Sequence, residues 1–401
     1  MQSSKYLSSI VYMGLALLFF SVVGTRIHAY HWDFNAYYSA SMLLLKGLVP
    51  YQFDPRQILP PEATVVTGSY VYPPITFALV KPLSLIKYSQ ASVLWLISQL
   101  FVMIGLFYFW EKKFIPDLKK IWAGCVLLLG YNGALFWDVA SGNVTLFEQA
   151  VLWIGFYGYI SNRNFLFGAC VVLVSLFKLT PIVLLILLLY RPNRQKISCL
   201  IASSLVFLGL IAYQMIFYSQ PWAEFVNQAS QRVTEFGTLS PSIYALMGDL
   251  SRTLSESGYK VLPSSLSFTI YALSSVSIFG VSFFWIIRFK PSLLETVYLV
   301  LTSYSLLLPR IKSYQFIQVL VPTIFVLGAV KNSKSFSKFS SWFVLILLLV
   351  CFPYGENPFP KPIQLTLQVA TKYIPLFTLI GVWAFLLLLI RKSRLETRSG
   401  D

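Results

Sequence analysis

The residue with the clearest chemical potential in this sequence is Asp33, in the run His31-Trp32-Asp33-Phe34-Asn35. The run follows the first long apolar stretch, so Asp33 is expected near a membrane surface, where aromatic side chains are favoured. A carboxylate in such a partly dry place could accept a proton from a hydroxyl group. The same aspartate could instead be a solvated loop residue, or a cap of a helix that begins near Asn35. These residues alone leave both interpretations open.

A second candidate is Lys178, an ammonium group in the middle of the apolar stretch 165–190. A charged residue inside a membrane costs about 2.5–3.5 kcal/mol and is expected to face a cavity or a partner. The alternative is that its long side chain reaches up to the membrane surface. The stretch could be one long helix or two short ones that meet at Lys178 and Pro181.

A third group of candidates lies in Pro309-Arg310-Ile311-Lys312-Ser313-Tyr314, a tight turn between two apolar segments. Arginine can grip a phosphate with two hydrogen bonds, and lysine adds a point charge. Arg310 and Lys312, with the hydroxyl group of Tyr314 beside them, therefore form a plausible phosphate clamp.

Two other predicted turns carry polar residues whose roles stay open. One is flanked by Asp138, Gly142-Asn143 and Glu148, and Glu148 could pair with a cation or point into the helix bundle. The other contains Ser240-Pro241-Ser242, which could supply hydroxyl groups or merely turn the chain.

The composition indicates the solvent in which these groups must be held. Of the 401 residues, 57% are hydrophobic and 11% are charged, with a mean hydropathy of +0.69. A soluble domain carries roughly 25% charged residues. We therefore predict an all-α polytopic membrane protein, in which residues 1–401 form a single integral membrane domain surrounded by membrane lipids.

The net charge of +16 does not indicate a nucleic-acid partner. A strand-binding surface needs basic residues interleaved with aromatic ones, and no such run occurs. The lysines and arginines stand instead in short clusters between apolar segments. That pattern marks the cytoplasmic loops of membrane proteins.

Apolar segments predict about twelve transmembrane helices with both termini in the cytoplasm. Clear candidates are 7–24, 91–110, 121–138, 144–160, 197–218, 269–287, 292–308, 314–330, 339–353 and 373–390. The basic clusters can all be cytoplasmic only if 165–190 goes out and back, with Lys178 at the outer tip. Residues 25–90 then form a first outer loop, in which 71–88 is interfacial or re-entrant. Residues 219–268 form a long outer loop.

Several familiar sites are missing from the sequence. No His, Glu or Asp cluster has metal-ligand spacing, and there is no Walker loop and no Gly-x-Gly-x-x-Gly motif after a strand. We therefore expect no metal, no cofactor and no nucleotide chemistry on the cytoplasmic side. A donor activated elsewhere and delivered through the membrane suits this layout better.

Short motifs that occur in order over most of the chain carry a family resemblance. They are Asp33-Phe34-Asn35-Ala36-Tyr37-Tyr38, Gly47 with Pro50-Tyr51, Tyr72-Pro73-Pro74, Lys81-Pro82-Leu83, Gly142-Asn143-Val144, and Gly168 with Lys178-Leu179-Thr180-Pro181. On these motifs the chain resembles glycosyltransferase family 87, the polyprenyl-phosphate-mannose-dependent alpha-mannosyltransferase-like enzymes of the C-type membrane class.

The resemblance implies a fold of many helices with an extracytoplasmic active site, a polyprenyl-phosphate sugar donor, and an inverting transfer that needs no metal. The family's catalytic base maps onto Asp33, and the lysine of its Lys-x-x-Pro motif onto Lys178. Many members carry Ser-Pro-x-x-Trp followed by histidines where this chain has 308–314. That departure concerns the choice of sugar and not the reaction class.

Together these observations predict transfer of a sugar, mannose first, from a polyprenyl-phosphate donor to a lipid or glycan acceptor. Asp33 is the predicted base, and Arg310, Lys312, Tyr314 and Lys178 are the predicted contacts of the donor phosphate. The residues expected to line the path of the sugar are Trp32, Tyr37, Tyr51, Tyr72 and Asn143.

Two other functions compete with this prediction. A lipid-linked glycan polymerase or ligase would place outer-face arginines in a large late loop, whereas the distinctive acidic loop here comes first. A lipid or glycan transporter would show an internal repeat and charges at mid-membrane. The missing long polar tails favour a bacterial plasma membrane over the endoplasmic reticulum.

Overall fold

Long apolar runs with few charges fold as helices, because each backbone group then finds its partner inside the segment. The computed structural model describes residues 31–54, 57–60, 63, 70–115, 120–231, 240–256, 263–332, 350–351 and 371–398. Within these ranges the regular structure is helical and no strand is formed. The predicted all-α class is confirmed for this part of the chain.

Twelve α-helices are numbered here in chain order. They are α1 Trp32–Leu45, α2 Tyr88–Lys113, α3 Ile121–Ser141, α4 Thr145–Ile160, α5 Asn164–Ser175, α6 Arg194–Phe217, α7 Ser219–Gln231, α8 Ile243–Glu256, α9 Ser264–Phe289, α10 Leu293–Leu307, α11 Ile317–Asn332 and α12 Ile374–Arg398. Shorter helical pieces include Pro74–Leu85 and the 3-10 helix Thr180–Leu189.

Six helical segments of the described residues are long and apolar enough to cross a membrane. They are Tyr88–Lys113, Trp122–Ser141, Arg194–Phe217, Ser265–Phe289, Ser313–Lys331 and Ile374–Leu395. The predicted segments 144–160 and 292–308 are helices of 16 and 15 residues, shorter than the roughly 20 that a simple crossing needs. The predicted span 7–24 and most of 339–353 lie outside the described residues, so the count of twelve stays a prediction.

The apolar stretch 165–190 forms two short helices and not one long one. Helix α5 ends at Ser175, and the 3-10 helix begins at Thr180 and packs against α5. Lys178 lies in the link between them. Of the two alternatives, two short helices that meet near Lys178 and Pro181 is therefore correct, while an outer position of Lys178 stays a prediction.

Residues 71–88 were predicted not to make a full crossing. The helical segment Pro74–Leu85 has twelve residues in three short pieces, which at about 1.5–2.0 Å per residue cannot cover a core about 30 Å thick. The amide group of Ile75 donates a hydrogen bond of 3.0 Å to the buried side chain of Gln214 in α6. This segment is therefore fixed to a candidate span.

The candidate spans expose large apolar side chains that water would not favour. Phe101 in α2 is 78% exposed, and Leu205 in α6 and Val276 in α9 are 64% and 69% exposed. Large apolar side chains exposed along helices of this length indicate contact with lipid or with another protein. Together with the length of these helices, it identifies an integral membrane protein.

The described residues divide into two compact units. The first, called the Asp33 unit, contains those within Ala16–Tyr108 and Phe136–Arg232. The second, called the Arg310 unit, contains those within Phe109–Leu135 and Val233–Asp401. Each is described by itself below, and the single domain predicted for residues 1–401 stays a prediction.

In the Arg310 unit, helix α3 is interrupted between Gly130 and Gly133. Tyr131, Asn132 and Gly133 have φ values of 53°, 61° and 67°, in the left-handed region. A left-handed residue with a side chain costs about 1–2 kcal/mol, so neighbouring contacts must offset that cost. The ring of Tyr131 stacks on Phe316 at 5.0 Å, and its hydroxyl group shares a hydrogen bond of 2.7 Å with Thr323.

Candidate functional site

Asp33 lies in the first turn of α1, because the helix already begins at Trp32. The residue at the helix cap is His31, so the alternative in which Asp33 caps a helix starting near Asn35 is wrong. A carboxylate in the first turn is favoured by the exposed N–H groups and the dipole of the helix. Asp33 is partly exposed, while Phe34 and Asn35 beside it are buried.

Asn143 donates a hydrogen bond of 2.9 Å from Nδ2 to Oδ2 of Asp33, across 110 positions of sequence. Asn143 is itself fully buried. The backbone N–H of Asn143 donates a hydrogen bond of 3.0 Å to the backbone carbonyl of Asp138. Its backbone carbonyl accepts one of 2.7 Å from Nε2 of Gln99. These two hydrogen bonds to the backbone of Asn143 therefore fix the turn that presents its side chain to Asp33.

Gly142, at the end of α3, allows this close approach. Its φ is +71°, and a Cβ atom there would lie 2.6 Å from Cβ of Phe34 and 2.7 Å from the ring of His31. Real Cβ atoms essentially never come so close. Glycine is therefore required for the turn to pack directly on the start of α1.

A chain of polar contacts continues from Asn143 to Lys178. Oδ1 of Asn143 accepts hydrogen bonds from the amide and the hydroxyl group of Thr145, at 3.0 and 2.8 Å. The ammonium group of Lys178 donates to Oγ1 of Thr145 at 3.2 Å and forms an ion pair of 2.6 Å with Glu148. The structure thus brings together Asp33, Asn143 and Lys178, which the sequence analysis had identified separately.

Asp138 supports the same turn from inside. Its side chain is fully buried, and Oδ2 accepts a hydrogen bond of 3.1 Å from the amide group of Leu146 at the start of α4. Its other oxygen, Oδ1, has no hydrogen-bond partner among the described residues, and the same holds for Oε1 of Glu148. Two buried acceptor atoms near the turn are thus left for water or a ligand.

Tyrosine side chains surround the loop at Tyr72. The hydroxyl groups of Tyr37 and Tyr72 share a hydrogen bond of 2.9 Å, and that of Tyr51 donates 2.5 Å to the carbonyl of Tyr72. Burial first, and then the charges of Asp33 and Glu148, raise the pKa of Tyr72 well above the ordinary value of 10.0. Tyr72 is therefore a neutral phenol beside the carboxylates.

These aromatic residues differ in how well a substrate could reach them. Tyr37 and Tyr51 are 1% exposed and Tyr72 is 7% exposed, so all three are packed inside the Asp33 unit. Trp32 is partly exposed and lies 5.9 Å from the ring of Trp137. Trp32 is accordingly the best placed of the four for contact with a sugar.

In the Arg310 unit, two serines hold the loop that carries the predicted phosphate clamp. The hydroxyl group of Ser242 donates 2.6 Å to the carbonyl of Pro309, and the amide of Ile311 donates 3.3 Å to Oγ of Ser240. The serines therefore do more than turn the chain. Between these anchors the side chain of Arg310 is partly exposed, as are those of Lys312 and Tyr314 further along.

Thr145 and Gln99 were not predicted as site residues from the sequence, and two roles were open for Glu148. The one available signal was the spacing of Thr145 and Glu148, which puts both on one side of α4. Nothing near Gln99 in the chain points to the turn that it holds. Among the described residues, no group of three or more His, Cys, Asp or Glu side chains could hold a metal ion.

Comparison with known proteins gives a match to a family model. The model of glycosyltransferase family 87 matches residues 70–309, more than half of the 401 residues. The matched range contains Asn143, Thr145, Glu148 and Lys178, whereas Asp33 precedes it and Arg310 follows it. No curated protein and no solved structure matches the chain.

Proposed function

Because this chain belongs to glycosyltransferase family 87, we propose that it transfers a sugar from a polyprenyl-phosphate donor to a hydroxyl group of a lipid or glycan acceptor. Mannose is the first sugar to test. The contact that supports this proposal best is the 2.9 Å hydrogen bond from Asn143 to Asp33, which orients a partly exposed carboxylate at the start of α1.

The proposed reaction is a direct displacement at the anomeric carbon. Asp33 takes the proton of the acceptor hydroxyl group, whose oxygen forms the new bond to that carbon. The bond from the anomeric carbon to the phosphate oxygen breaks, and its electron pair leaves with the polyprenyl phosphate. Attack from the side opposite the leaving group inverts the configuration, and neither a metal nor a cofactor takes part.

Arg310 and Lys312, with Tyr314, are the proposed contacts of the donor phosphate. Positive groups aimed at the leaving oxygen stabilise the charge that grows there as the bond breaks. Ser240 accepts a hydrogen bond from the amide of Ile311 and Ser242 donates one to the carbonyl of Pro309, so the cations start from an ordered backbone. Lys178 is less suitable for this role, because its ammonium group already forms an ion pair with Glu148.

The proposed site faces the outside of the cell, with both termini in the cytoplasm and the protein in a bacterial plasma membrane. The support for this orientation is the clusters of lysine and arginine between the apolar segments, because positively charged loops resist translocation. A lipid-linked donor is loaded elsewhere and reaches this face through the membrane.

The test is sugar transfer by the purified protein in lipid nanodiscs, from labelled polyprenyl-phosphate mannose to an extract of membrane lipids and glycans. Asp33→Asn keeps the size of the side chain and removes the base, so transfer should fall at least about 1,000-fold, within the usual range for general base catalysis. Asp54→Asn, in the same predicted outer loop, is the matched control and should stay near wild type.

The outcomes separate the parts of the proposal. Full activity of Asp33→Asn sinks the mechanism, while loss in both variants points to damage of the loop. A folded wild-type protein that is inactive with mannose is retested with other polyprenyl-phosphate sugars. Inactivity with all of them rejects this donor class.

A further inference from the structure

The hydrogen bonds between Lys178 and Asp33 all point in one direction. A lysine ammonium group can only donate, so Oγ1 of Thr145 accepts from Lys178 and must use its single proton elsewhere. That proton goes to Oδ1 of Asn143, which also accepts from the amide of Thr145. The amide of Asn143 therefore has its NH₂ group on the other side, towards Oδ2 of Asp33.

The direction of these hydrogen bonds determines which oxygen of Asp33 can take a proton. Oδ2 of Asp33 is held as an acceptor, so the proton taken from a substrate belongs on Oδ1. Hydrogen bonds in such a chain polarise one another, and the positive charge at the start strengthens each donor along it. Thr145 and Asn143 are each at most 1% exposed, so water does not compete within the chain.

Glu148 fixes the start of the chain. Its carboxylate lies 2.6 Å from the ammonium group, and the side chains of Glu148 and Lys178 are 5% and 22% exposed. A phosphate approaching Lys178 would also meet the negative charge of Glu148, 2.6 Å from the ammonium group. The ion pair is therefore better suited to acting on a neighbour than to binding an anion.

We infer that Glu148 and Thr145 are positioning residues, which hold Lys178 so that its charge acts on the base Asp33 and not on the leaving phosphate. This inference rests on the proposed function, because it needs Asp33 to be the base. It assigns roles to two residues that the sequence analysis left open or missed. It also removes Lys178 from the set of phosphate contacts.

The charge around Asp33 gives the sign of the expected pH dependence. The charge of Asp33 interacts with Tyr72 and Asp138. Further titratable groups nearby are His31 on the same segment, Tyr37, which is hydrogen-bonded to Tyr72, and the ion pair of Glu148 with Lys178. Lys178 is the cation whose hydrogen bonds lead to Asp33, and it favours the ionised carboxylate. Without Lys178 the base takes up a proton at higher pH, so the acidic limb of the pH–rate profile should shift to higher pH. Removing the negative charge of Glu148 should move that limb downward.

The experiment measures kcat against pH at saturating polyprenyl-phosphate mannose, together with KM for that donor. Lys178→Met should move the acidic limb upward by about one pH unit, with donor KM within about twofold. Glu148→Gln keeps an oxygen that can accept the hydrogen bond from Lys178 and removes only the negative charge, so it should move the acidic limb to lower pH. Lys46→Met, an exposed lysine just after α1, is the control for the charge change and should leave the profile unchanged.

Variants of Thr145 test the chain itself. Thr145→Val removes the hydroxyl group with little change in volume, and kcat should fall about tenfold, the value of one hydrogen bond in a buried network. Thr145→Ser restores the hydroxyl group and should recover most of that loss. The double variant Thr145→Val/Lys178→Met should lose less than the product of the two single losses, because both act through one chain.

The opposite result is also defined. A donor KM raised tenfold or more in Lys178→Met, with an unmoved acidic limb in both charge variants, assigns Lys178 to the phosphate and overturns the inference. If the wild type is active and Asp33→Asn is inactive in the same assay, the proposed function still holds when the inference about Lys178 is overturned. Wild type that is inactive with all polyprenyl-phosphate sugars rejects the proposed function instead.

Discussion

Replacing Gly142 by alanine should inactivate the enzyme while leaving most of its fold in place. The new Cβ would lie 2.6 Å from Cβ of Phe34 and 2.7 Å from the ring of His31, whereas ordinary contact begins at 3.4 Å. The turn and the start of α1 must therefore separate by about 0.8 Å, the difference between 3.4 and 2.6 Å. Phe34 adjoins Asp33, so this displacement falls on the hydrogen bond to Asn143.

The expected magnitudes follow from that displacement. A misplacement of about 1 Å between a catalytic group and its partner costs about 100-fold in rate. Forcing a methyl group into a packed contact costs about 1–3 kcal/mol, and alanine at positive φ costs about 1–2 kcal/mol more. We expect turnover to fall about 100-fold, with a loss of unfolding free energy of about 2–5 kcal/mol.

Gly47→Ala is the matched control. Gly47 has a φ of +74°, nearly that of Gly142, but nothing lies within 4 Å of its added Cβ. Alanine at position 47 has the cost of a positive φ but no steric clash, so sugar transfer should stay within about threefold of wild type. The assays are sugar transfer and thermal unfolding in nanodiscs. If Gly142→Ala keeps more than a third of wild-type turnover, the steric argument is refuted.

Three further predictions concern packing, the phosphate loop and pH. Gly168→Ala should destabilise the protein by about 1–3 kcal/mol, because its Cβ would lie 2.2 Å from Oγ of Ser203. Ser203→Ala in the same chain should recover part of that loss in thermal unfolding, and no recovery would contradict the assigned contact. Ser242→Ala should raise donor KM several-fold, because it removes the hydrogen bond to the carbonyl of Pro309, and should leave the acidic limb of the pH–rate profile unchanged. An unchanged KM would show that the loop does not contribute to donor binding. Because the pKa of Tyr72 is raised well above 10.0, it stays protonated up to that pH, and Tyr72→Phe should leave any alkaline limb of the pH–rate profile in place.

The sequence was sufficient to predict elements whose signal is local. Apolar length predicted 91–110 and 197–218, and the structure has helices there from Tyr88 to Lys113 and from Arg194 to Phe217. Pro181 indicated the division of 165–190. The membrane cost of a lone ammonium group indicated that Lys178 needs a partner. The partner's identity depends on how α4 and the link at Lys178 pack, and a single sequence does not contain that information.

Contacts over long sequence separation were beyond prediction for the same reason. Asn143 meets Asp33 across 110 positions, and Gln99 reaches the same turn from α2. The interruption of α3 also had no proline to announce it. Gly130 and Gly133 mark it only in retrospect, since glycine inside a helix is tolerated at many positions.

The 3-10 winding of Thr180–Leu189 has a consequence for the surrounding bilayer. Ten residues at about 2.0 Å each reach about 20 Å, against about 15 Å for the same residues in an α-helix. Val183 and Leu189 on this segment are 55% and 51% exposed, so its exposed surface is apolar. A typical hydrocarbon core is about 30 Å thick, and a shorter apolar wall is met by thinning of the adjacent lipid. We therefore expect the acyl-chain length of the surrounding lipid to affect the segment that adjoins Lys178.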